Sequence, residues 1–245
     1  EAVKAKHALD EIVETLDDEG YYVGLQLTQD VLNDLQGLAR SHRCYADRDP
    51  NRPFLMANKE AAERAWGREI KVASYFDQQL EWPAFQAVQN DPLVLAIARH
   101  YLRRAPVFMR SEIFWSFAAS STRDEQRAAA QVFHCDINDF RTIKFFFHLS
   151  DVGPSNGPHT YIKKGPRQRT FVHQMIGQRL ASLPQEEILR TYRDNEVVTI
   201  CGEAGLGFAG DPYYIHKGTL PVEGHRLMMQ LEFGCRRYRT WYFAT

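Results

Sequence analysis

The sequence predicts a mainly β protein with flanking helices, an α+β fold. Residues 1–105 are predicted to be mostly helical, and residues 106–245 to form an antiparallel β sandwich or barrel with those helices packed outside it. Two observations support this division. Apolar residues recur with helical spacing in the first part, whereas aromatic and β-branched runs separated by Gly/Pro turns fill the second. No linker or internal repeat interrupts the chain, so we expect a single domain spanning residues 1–245.

Helical signals dominate the first part, with one early strand. Helices are predicted at residues 8–17, beyond position 28, at 60–66 and at 82–102. Gly20 ends the first helix, and residues 21–25 favour a strand. Thr28 is a candidate N-cap for the second helix. Residues 48–53 are polar and contain proline, which indicates a loop, and residues 47–52 are a candidate lid over the mouth of the β core.

Short strands dominate the second part. They are predicted at residues 107–115, 131–136, 141–149, 159–162, 196–200, 206–208 and 227–233. One helix, at residues 183–194, is expected among them. Clusters of glycine, proline, serine and asparagine separate the strands, as is typical of antiparallel sheets.

The composition indicates a globular protein without a strong charge field. Its 30 basic and 31 acidic residues give a net charge of −1, so we expect neither nucleic acid nor a membrane surface as a partner. No run of 18 apolar residues is present. The four cysteines are far apart and the first residues lack a signal-peptide core, so we expect no disulfide framework, no structural zinc and a cytoplasmic location.

His134 and Asp136 form the first part of a candidate metal site. Side chains two residues apart on a strand project from the same face, so this imidazole and carboxylate can reach one ion. By itself the pair is a weak signal. With 9 histidines and 31 acidic residues in 245 positions, roughly one His-x-acid triplet is expected by chance, and a surface pair is the alternative.

His216 and Arg226 form the second part. His216 ends a late predicted strand, and Arg226 opens the next one after a Pro/Gly turn. Two imidazoles and one carboxylate leave three positions of an iron ion open, enough for a bidentate keto acid and O₂. An arginine beside such a site suits the far carboxylate of the keto acid, because the planar guanidinium binds carboxylates bidentately.

Together these motifs resemble the phytanoyl-CoA dioxygenase family of Fe(II)/2-oxoglutarate-dependent oxygenases. The resemblance covers most of the chain. It rests on the opening segment 18–23 followed by Thr28, His134-Cys135-Asp136, Ser150-Asp151-Val152, Ser155-Asn156-Gly157-Pro158, His216-Lys217-Gly218-Thr219 and Arg226. It implies a double-stranded β-helix core, that is, a cupin-like jelly roll.

The resemblance also implies a chemistry and a set of site residues. His134, Asp136 and His216 would bind Fe(II), and Arg226 would bind the C5 carboxylate of 2-oxoglutarate. With O₂ as the third reactant, the implied reaction hydroxylates a small-molecule substrate and releases succinate and CO₂. Related halogenases lack a carboxylate at the position of Asp136, so its presence favours hydroxylation or a similar outcome such as desaturation. Some members carry serine two residues after the second histidine; here Gly218 stands there, and Thr219 is the candidate hydroxyl for cofactor contact.

Several further residues are candidates for contact with the co-substrate or the substrate. Lys144 is the one charge in an aromatic strand, so it is predicted to meet a carboxylate of 2-oxoglutarate or of the substrate; the alternative is a lysine that reaches solvent. His148 and His159 are expected to be structural, with His159 the better candidate for substrate contact. A basic group is proposed to recognise an anionic substrate, with a solvated loop face as its alternative: Arg141, Lys163, Lys164, Arg167 and Arg169.

A second function stays open at this point. A jelly roll of the cupin type can bind a metabolite or sugar, or act as an isomerase, without redox chemistry. Arg226 and the order of the three candidate ligands argue against this alternative, because a simple binding protein needs neither.

Overall fold

A large antiparallel sheet is the main element of the computed structural model, which describes residues 1–119, 132–136, 141–163, 188 and 190–236. The helices are α1 (Leu9–Glu19), α2 (Gln29–Ser41), α3 (Lys59–Trp66), α4 (Pro83–Gln89) and α5 (Pro92–Leu102). The strands are β1 (Val3–Ala5), β2 (Tyr21–Leu27), β3 (Arg43–Ala46), β4 (Pro53–Leu55), β5 (Val72–Ser74), β6 (Val107–Phe117), β7 (Thr142–His148), β8 (His159–Ile162), β9 (Val197–Ile200), β10 (Leu206–Gly210), β11 (His216–Gly218) and β12 (His225–Gly234).

The helices begin and end largely where their sequence signals predict. Gly20 ends α1 with φ 86°, a left-handed conformation that suits glycine. The prediction that Thr28 caps α2 is wrong in its detail, because its side chain makes no capping hydrogen bond. The long helix expected at residues 82–102 is two helices. Asp91 separates them, and its carboxylate accepts hydrogen bonds from the backbone N–H groups of Leu93 and Val94 at the start of α5.

More strands precede position 105 than the single one predicted. β2 is longer than expected, and β1, β3, β4 and β5 also join the large sheet. These extra strands are three or four residues long, too short to show an alternating pattern in the sequence. The candidate lid at residues 47–52 is the connection of the β3–β4 hairpin. Within it, Asp49 accepts from the Arg52 guanidinium at 2.8 Å.

The large sheet has the strand order β1-β2-β10-β7-β12-β6-β5-β3-β4. One face packs against the helices and forms the main core. Alternate side chains of β7 and β12 supply that core, among them Phe145, Phe147, Met229 and Leu231. Their neighbours in sequence point to the opposite face, which is where the polar residues considered below are found.

A second sheet, in the order β11-β8-β9, covers that opposite face. Tyr161 of β8 and Ile200 of β9 share a buried cluster with Phe146 and Met228 of the large sheet. From β6 onward the chain passes back and forth between the two sheets. Strands β6, β7, β10 and β12 lie in the large sheet, and β8, β9 and β11 lie in the small one. Helices on a mainly antiparallel β core are therefore confirmed.

Some predictions fall at or beyond the edge of the described residues. Among the described residues of the strand expected at 131–136, Phe133 and His134 form isolated bridges, that of His134 with His216. Half of the helix expected at 183–194 lies outside the described residues, and positions 188, 190 and 191 are helical. The four cysteines, all among the described residues, form no disulfide with one another. Among the helices that the structure describes, none has the length and apolar character needed to cross a bilayer.

Candidate metal centre

His134, Asp136 and His216 come together as the sequence predicts. One ligand atom from each side chain can be chosen so that all three lie within 4.8 Å of one another. Nε2 of His134 is 3.6 Å from Oδ1 of Asp136, and the two imidazole centroids are 4.3 Å apart. Both histidines are buried and Asp136 is partly buried. Imidazole, imidazole and carboxylate are the donor set of a facial iron site with open positions on one side.

Backbone pairing places the two imidazoles side by side. The N–H of His134 donates to the carbonyl of His216 at 2.9 Å, and the N–H of His216 donates back at 3.0 Å. Each ring also has its Nδ1 2.8 Å from a backbone carbonyl, that of Val132 for His134 and that of Tyr214 for His216. A carbonyl can only accept, so Nδ1 carries the proton and Nε2 keeps a lone pair. Both rings are thereby oriented for a metal ion.

The electrostatics keep the three side chains in their metal-binding forms. Burial lowers the pKa of His216 to about 3, and the neighbouring His134 acts in the same direction. The pKa of His134 is also lowered, chiefly by burial. Burial alone would raise the pKa of Asp136, but the charges of Lys144, His216 and His134 together bring it below its ordinary value. Two neutral imidazoles and one carboxylate are therefore present at neutral pH.

Lys144 lies against Asp136 and is buried, so the alternative of a lysine that reaches solvent is wrong. Its Nζ donates to Oδ2 of Asp136, the oxygen that does not face His134. Nζ is also 3.8 Å from Oε2 of Glu232, which in turn accepts from Arg110 at 2.6 Å. The carboxylate partners of Lys144 are thus protein side chains. Contact of Lys144 with 2-oxoglutarate or with substrate stays a prediction.

Arg226 is a buried cation on the same face of the large sheet. It is 4% exposed, and within the described residues no carboxylate lies within 4.0 Å of its guanidinium. Nη1 donates to the carbonyl of Gly157, Nη2 is 3.4 Å from Oγ of Ser116, and Nε has no hydrogen-bond partner. Burial lowers its pKa to about 10. A buried guanidinium without a counter-ion is costly unless an anion binds to it.

Other side chains between the sheets also have buried polar groups without partners among the described residues, namely His148 at both ring nitrogens, His159 and Tyr161. Nε2 of His159 and the hydroxyl of Tyr161 are buried, and neither makes a hydrogen bond to any described residue. Both rings stack on His216, with centroids 5.6 Å and 5.4 Å away. Buried polar groups in proteins are normally satisfied, so these atoms fit a polar ligand beside His216. Neither group was predicted as a cofactor contact, although His159 was a candidate for substrate contact.

Thr219 lies close to Arg226 through the backbone. Its N–H donates to the carbonyl of Pro158 at 3.1 Å, and the adjacent carbonyl of Gly157 is the one that accepts from Arg226. A role for its hydroxyl group stays a prediction.

The proposed basic group does not face the metal centre where the structure describes it. Arg141 pairs with Asp17 of α1, and Lys163 pairs with Glu19 at 3.0 Å. Both cations have acidic partners on α1, and recognition of an anionic substrate by this group stays a prediction. Lys164, Arg167 and Arg169 lie outside the described residues.

Sequence reasoning missed the chain of charges behind Asp136. Glu232 and Arg110 lie on β12 and β6, opposite one another in the sheet register. Arg226, Gln230 and Glu232 are separated by even numbers of positions and so share one face of β12, and these polar residues were the available signal. Alternation alone does not distinguish a buried polar row from a solvated one.

Comparison with solved structures gives the fold. No protein-family model matches the sequence, and no curated protein matches it either. The alignment with the non-heme alpha ketoglutarate dependent epimerase SnoN from nogalamycin biosynthesis covers 92% of this chain and 82% of SnoN, with 14% sequence identity and a TM-score of 0.61. The alignment with EctD from S. alaskensis with bound Fe covers 99% of this chain and 87% of EctD, with 16% sequence identity and a TM-score of 0.60. The alignment with HygX from Streptomyces hygroscopicus, with nickel and 2-oxoglutarate bound, covers 91% of this chain and 86% of HygX, with 13% sequence identity and a TM-score of 0.61. The chain therefore shares its fold with these proteins.

Proposed function

We propose that this protein is an Fe(II)- and 2-oxoglutarate-dependent dioxygenase that hydroxylates a C–H bond of a small molecule. One observation carries the proposal. The two-histidine, one-carboxylate cluster shares the space between the sheets with Arg226, a buried cation that has no carboxylate partner among the described residues. A metal-binding protein without a keto acid has no need for such a cation.

His134, Asp136 and His216 would hold the iron, and Arg226 would bind the C5 carboxylate of 2-oxoglutarate. When bound, this metal and co-substrate would supply the activation of O₂, so that one oxygen atom would end in succinate, the other in the substrate hydroxyl, and CO₂ would be released. The residues of this chain bind and orient the reactants and exclude water. The hydroxyl of Tyr161 and Nε2 of His159 supply further hydrogen bonds to the bound ligand. Thr219 is proposed as an additional contact near Arg226.

Lys144 is proposed as a positioning residue for Asp136 rather than a ligand of the co-substrate. Because its ammonium holds Oδ2, the other oxygen stays turned towards the imidazoles. Partners behind a metal ligand commonly fix its orientation in this way.

The core is proposed to be a double-stranded β-helix. Alternation of the strands between two sheets from β6 onward supports this topology, as does the His134–His216 bridge, which adds the segment around His134 to the small sheet. The similarity to SnoN, EctD and HygX supports it further. SnoN is described as an epimerase, so hydroxylation rests here on the intact Asp136 carboxylate and on the resemblance to the dioxygenase family.

The test is metal-dependent binding of 2-oxoglutarate, measured anaerobically by calorimetry with Mn(II) or Fe(II). The wild type should bind 2-oxoglutarate only with the metal, and with Fe(II) and O₂ it should release succinate and CO₂. Asp136→Ala and His216→Ala should lose both properties, whereas His100→Ala, at an exposed histidine of α5, should keep them. Metal-independent binding, or no metal binding at all, would favour the non-redox cupin-like alternative.

A further inference from the structure

A cavity of about 310 Å³ opens beside the first half of β6. It is at the small end of the range for ligand pockets, about 300–1,000 Å³. Its polar wall includes Arg48, Arg110, Glu112 and Gln230, and its apolar wall is formed by Phe76, Leu80, Phe108 and Met109.

The cavity lies on the same face of the large sheet as the candidate metal centre. Arg226, Gln230 and Glu232 alternate along β12 and so point to one side. Gln230 lines the cavity, while Glu232 contacts both Arg110 of the cavity wall and Lys144 behind Asp136. The carboxylate of Glu232 thus lies between Arg110 of the cavity wall and Lys144, the lysine that contacts Asp136. The wall of the cavity is therefore linked to the candidate metal ligand Asp136 through Arg110, Glu232 and Lys144.

Two of the four charged side chains in the wall, Arg48 and Glu112, are paired with each other. Arg48 binds Glu112 through Nε and Nη2 at 2.8 and 3.2 Å, and Gln230 donates to the same carboxylate at 3.2 Å. Asp77 also lines the cavity but is exposed, so water screens its charge.

Arg110 is different, because it keeps free donors. Only its Nε is used, in the 2.6 Å bond to Glu232, and its two Nη groups make no hydrogen bond to any described residue. The side chain is 40% exposed, whereas that of Glu232 is 3% exposed. The buried carboxylate therefore fixes one edge of the guanidinium and leaves the Nη1–Nη2 edge available.

We propose that this cavity is the substrate site and that Arg110 binds a carboxylate of the substrate through its two Nη groups. This inference rests on the proposed oxygenase function. Paired N–H donors in one plane match the two oxygens of a carboxylate. A phosphate dianion fits less well, because Glu232 and Glu112 would repel its second charge. The apolar walls at Phe76 and Phe108 accommodate an apolar or aromatic body attached to that carboxylate.

Benzoate and its neutral isostere benzamide are suitable probes. Their affinities are measured by calorimetry on anaerobic protein saturated with Mn(II) and 2-oxoglutarate, so that Arg226 is already occupied, and again without either addition. The wild type should bind benzoate at least about tenfold more tightly than benzamide, since hydrogen bonds to charged groups are of that size. Arg110→Gln should abolish this preference, and Arg110→Lys should keep only part of it, because lysine retains the charge without the planar pair of donors. Arg99→Gln, at an exposed arginine of α5, is the matched control and should bind like the wild type.

Equal affinity for the two probes, binding of neither, or a preference that survives in Arg110→Gln would overturn the proposal. Thermal unfolding of each variant shows that it is folded before binding is compared. Failure of the oxygenase proposal is seen separately, as absent binding of Mn(II) and 2-oxoglutarate before any probe is added. A benzoate preference that depends on Arg110 in such a protein would identify a carboxylate site without oxygenase chemistry.

Discussion

At the scale of single residues, the two oxygens of Asp136 have different surroundings. Oδ1 faces the imidazole of His134, and Oδ2 accepts from Lys144. The lysine is itself partly neutralised by Glu232. This division explains how the Asp136 carboxylate, which lies outside the named strands, can present one chosen oxygen to an ion.

Lys144→Met should weaken Mn(II) binding roughly 10- to 100-fold, the usual effect of losing a partner behind a metal ligand. The methionine keeps the length of the side chain but leaves Oδ2 of Asp136 unheld. Lys144→Arg retains the charge and should recover part of the affinity. Calorimetric titration with Mn(II), without turnover, is the measurement. An unchanged affinity in Lys144→Met would contradict the positioning role.

His148 should make the folded state sensitive to acid. Burial lowers its pKa to about 4, and the charge of Arg226 acts in the same direction. In the unfolded chain this histidine takes up its proton near pH 6.5, so its stabilising contribution is complete above that pH and is lost as the pH falls towards 4. Between pH 7 and pH 5 the loss is about 2 kcal/mol.

Replacing His148 by phenylalanine, which suits its contact with Phe208, should remove this dependence. The measurement is urea unfolding of wild type and His148→Phe at both pH values. An equal fall in the free energy of unfolding for both proteins would show that other groups cause the acid sensitivity.

At the scale of elements, the end of α1 is linked to the metal centre. A Cβ on Gly20, which has φ 86°, would lie 2.1 Å from the ring of Tyr214. The carbonyl of Tyr214 is the acceptor that orients His216. Gly20 therefore has both a left-handed backbone conformation and a close contact with Tyr214, and each of them disfavours a larger residue.

Gly20→Ala should lower the free energy of unfolding by about 2–5 kcal/mol, from backbone strain and overpacking together. Gly37 is the matched control. It lies within α2, and a Cβ there would meet nothing within 4 Å, so Gly37→Ala should be neutral or stabilise by about 0.4–1 kcal/mol. Chemical denaturation of both variants checks the pair. Similar stabilities for the two would show that the Tyr214 contact relaxes without cost.

Sequence patterns predicted the elements with strong periodicity and missed those without it. The core strands β6, β7 and β12 have long aromatic or β-branched runs and lie where they were expected. Strands β3, β4 and β5 are short, and pairing in the sheet determines them rather than local sequence: β5 pairs with β6, β3 with β5, and β4 with β3. The division between α4 and α5 was missed because the Asp91 cap interrupts an otherwise continuous apolar pattern.

The candidate site was predicted only in part, because some of its residues have a local sequence signal and others do not. The metal cluster has a local signal, the His-x-Asp pair, and a distant partner that the family resemblance supplied. Arg226 followed from the same pattern. The Lys144–Glu232–Arg110 chain depends on which strands are neighbours, and strand order is not encoded in any short segment.

At the scale of the whole molecule, a bound ion would connect segments 82 positions apart, His134 and His216. A ligand that binds only the folded state stabilises it, by about 2.7 kcal/mol at a concentration one hundred times its Kd. Mn(II) at that concentration should raise the free energy of unfolding of the wild type by this amount. Asp136→Ala should show no such increase, and an equal increase in both proteins would place the ion elsewhere.

The pairing of His216 with Tyr161 in the small sheet has a consequence for folding. Successive side chains of a strand point to opposite faces, so a slip of one position would replace the His216 imidazole with its neighbour Ile215 or Lys217. Only one alignment of β11 on β8 creates a place for the ion. Metal binding would therefore require that the last strands have paired in the correct register.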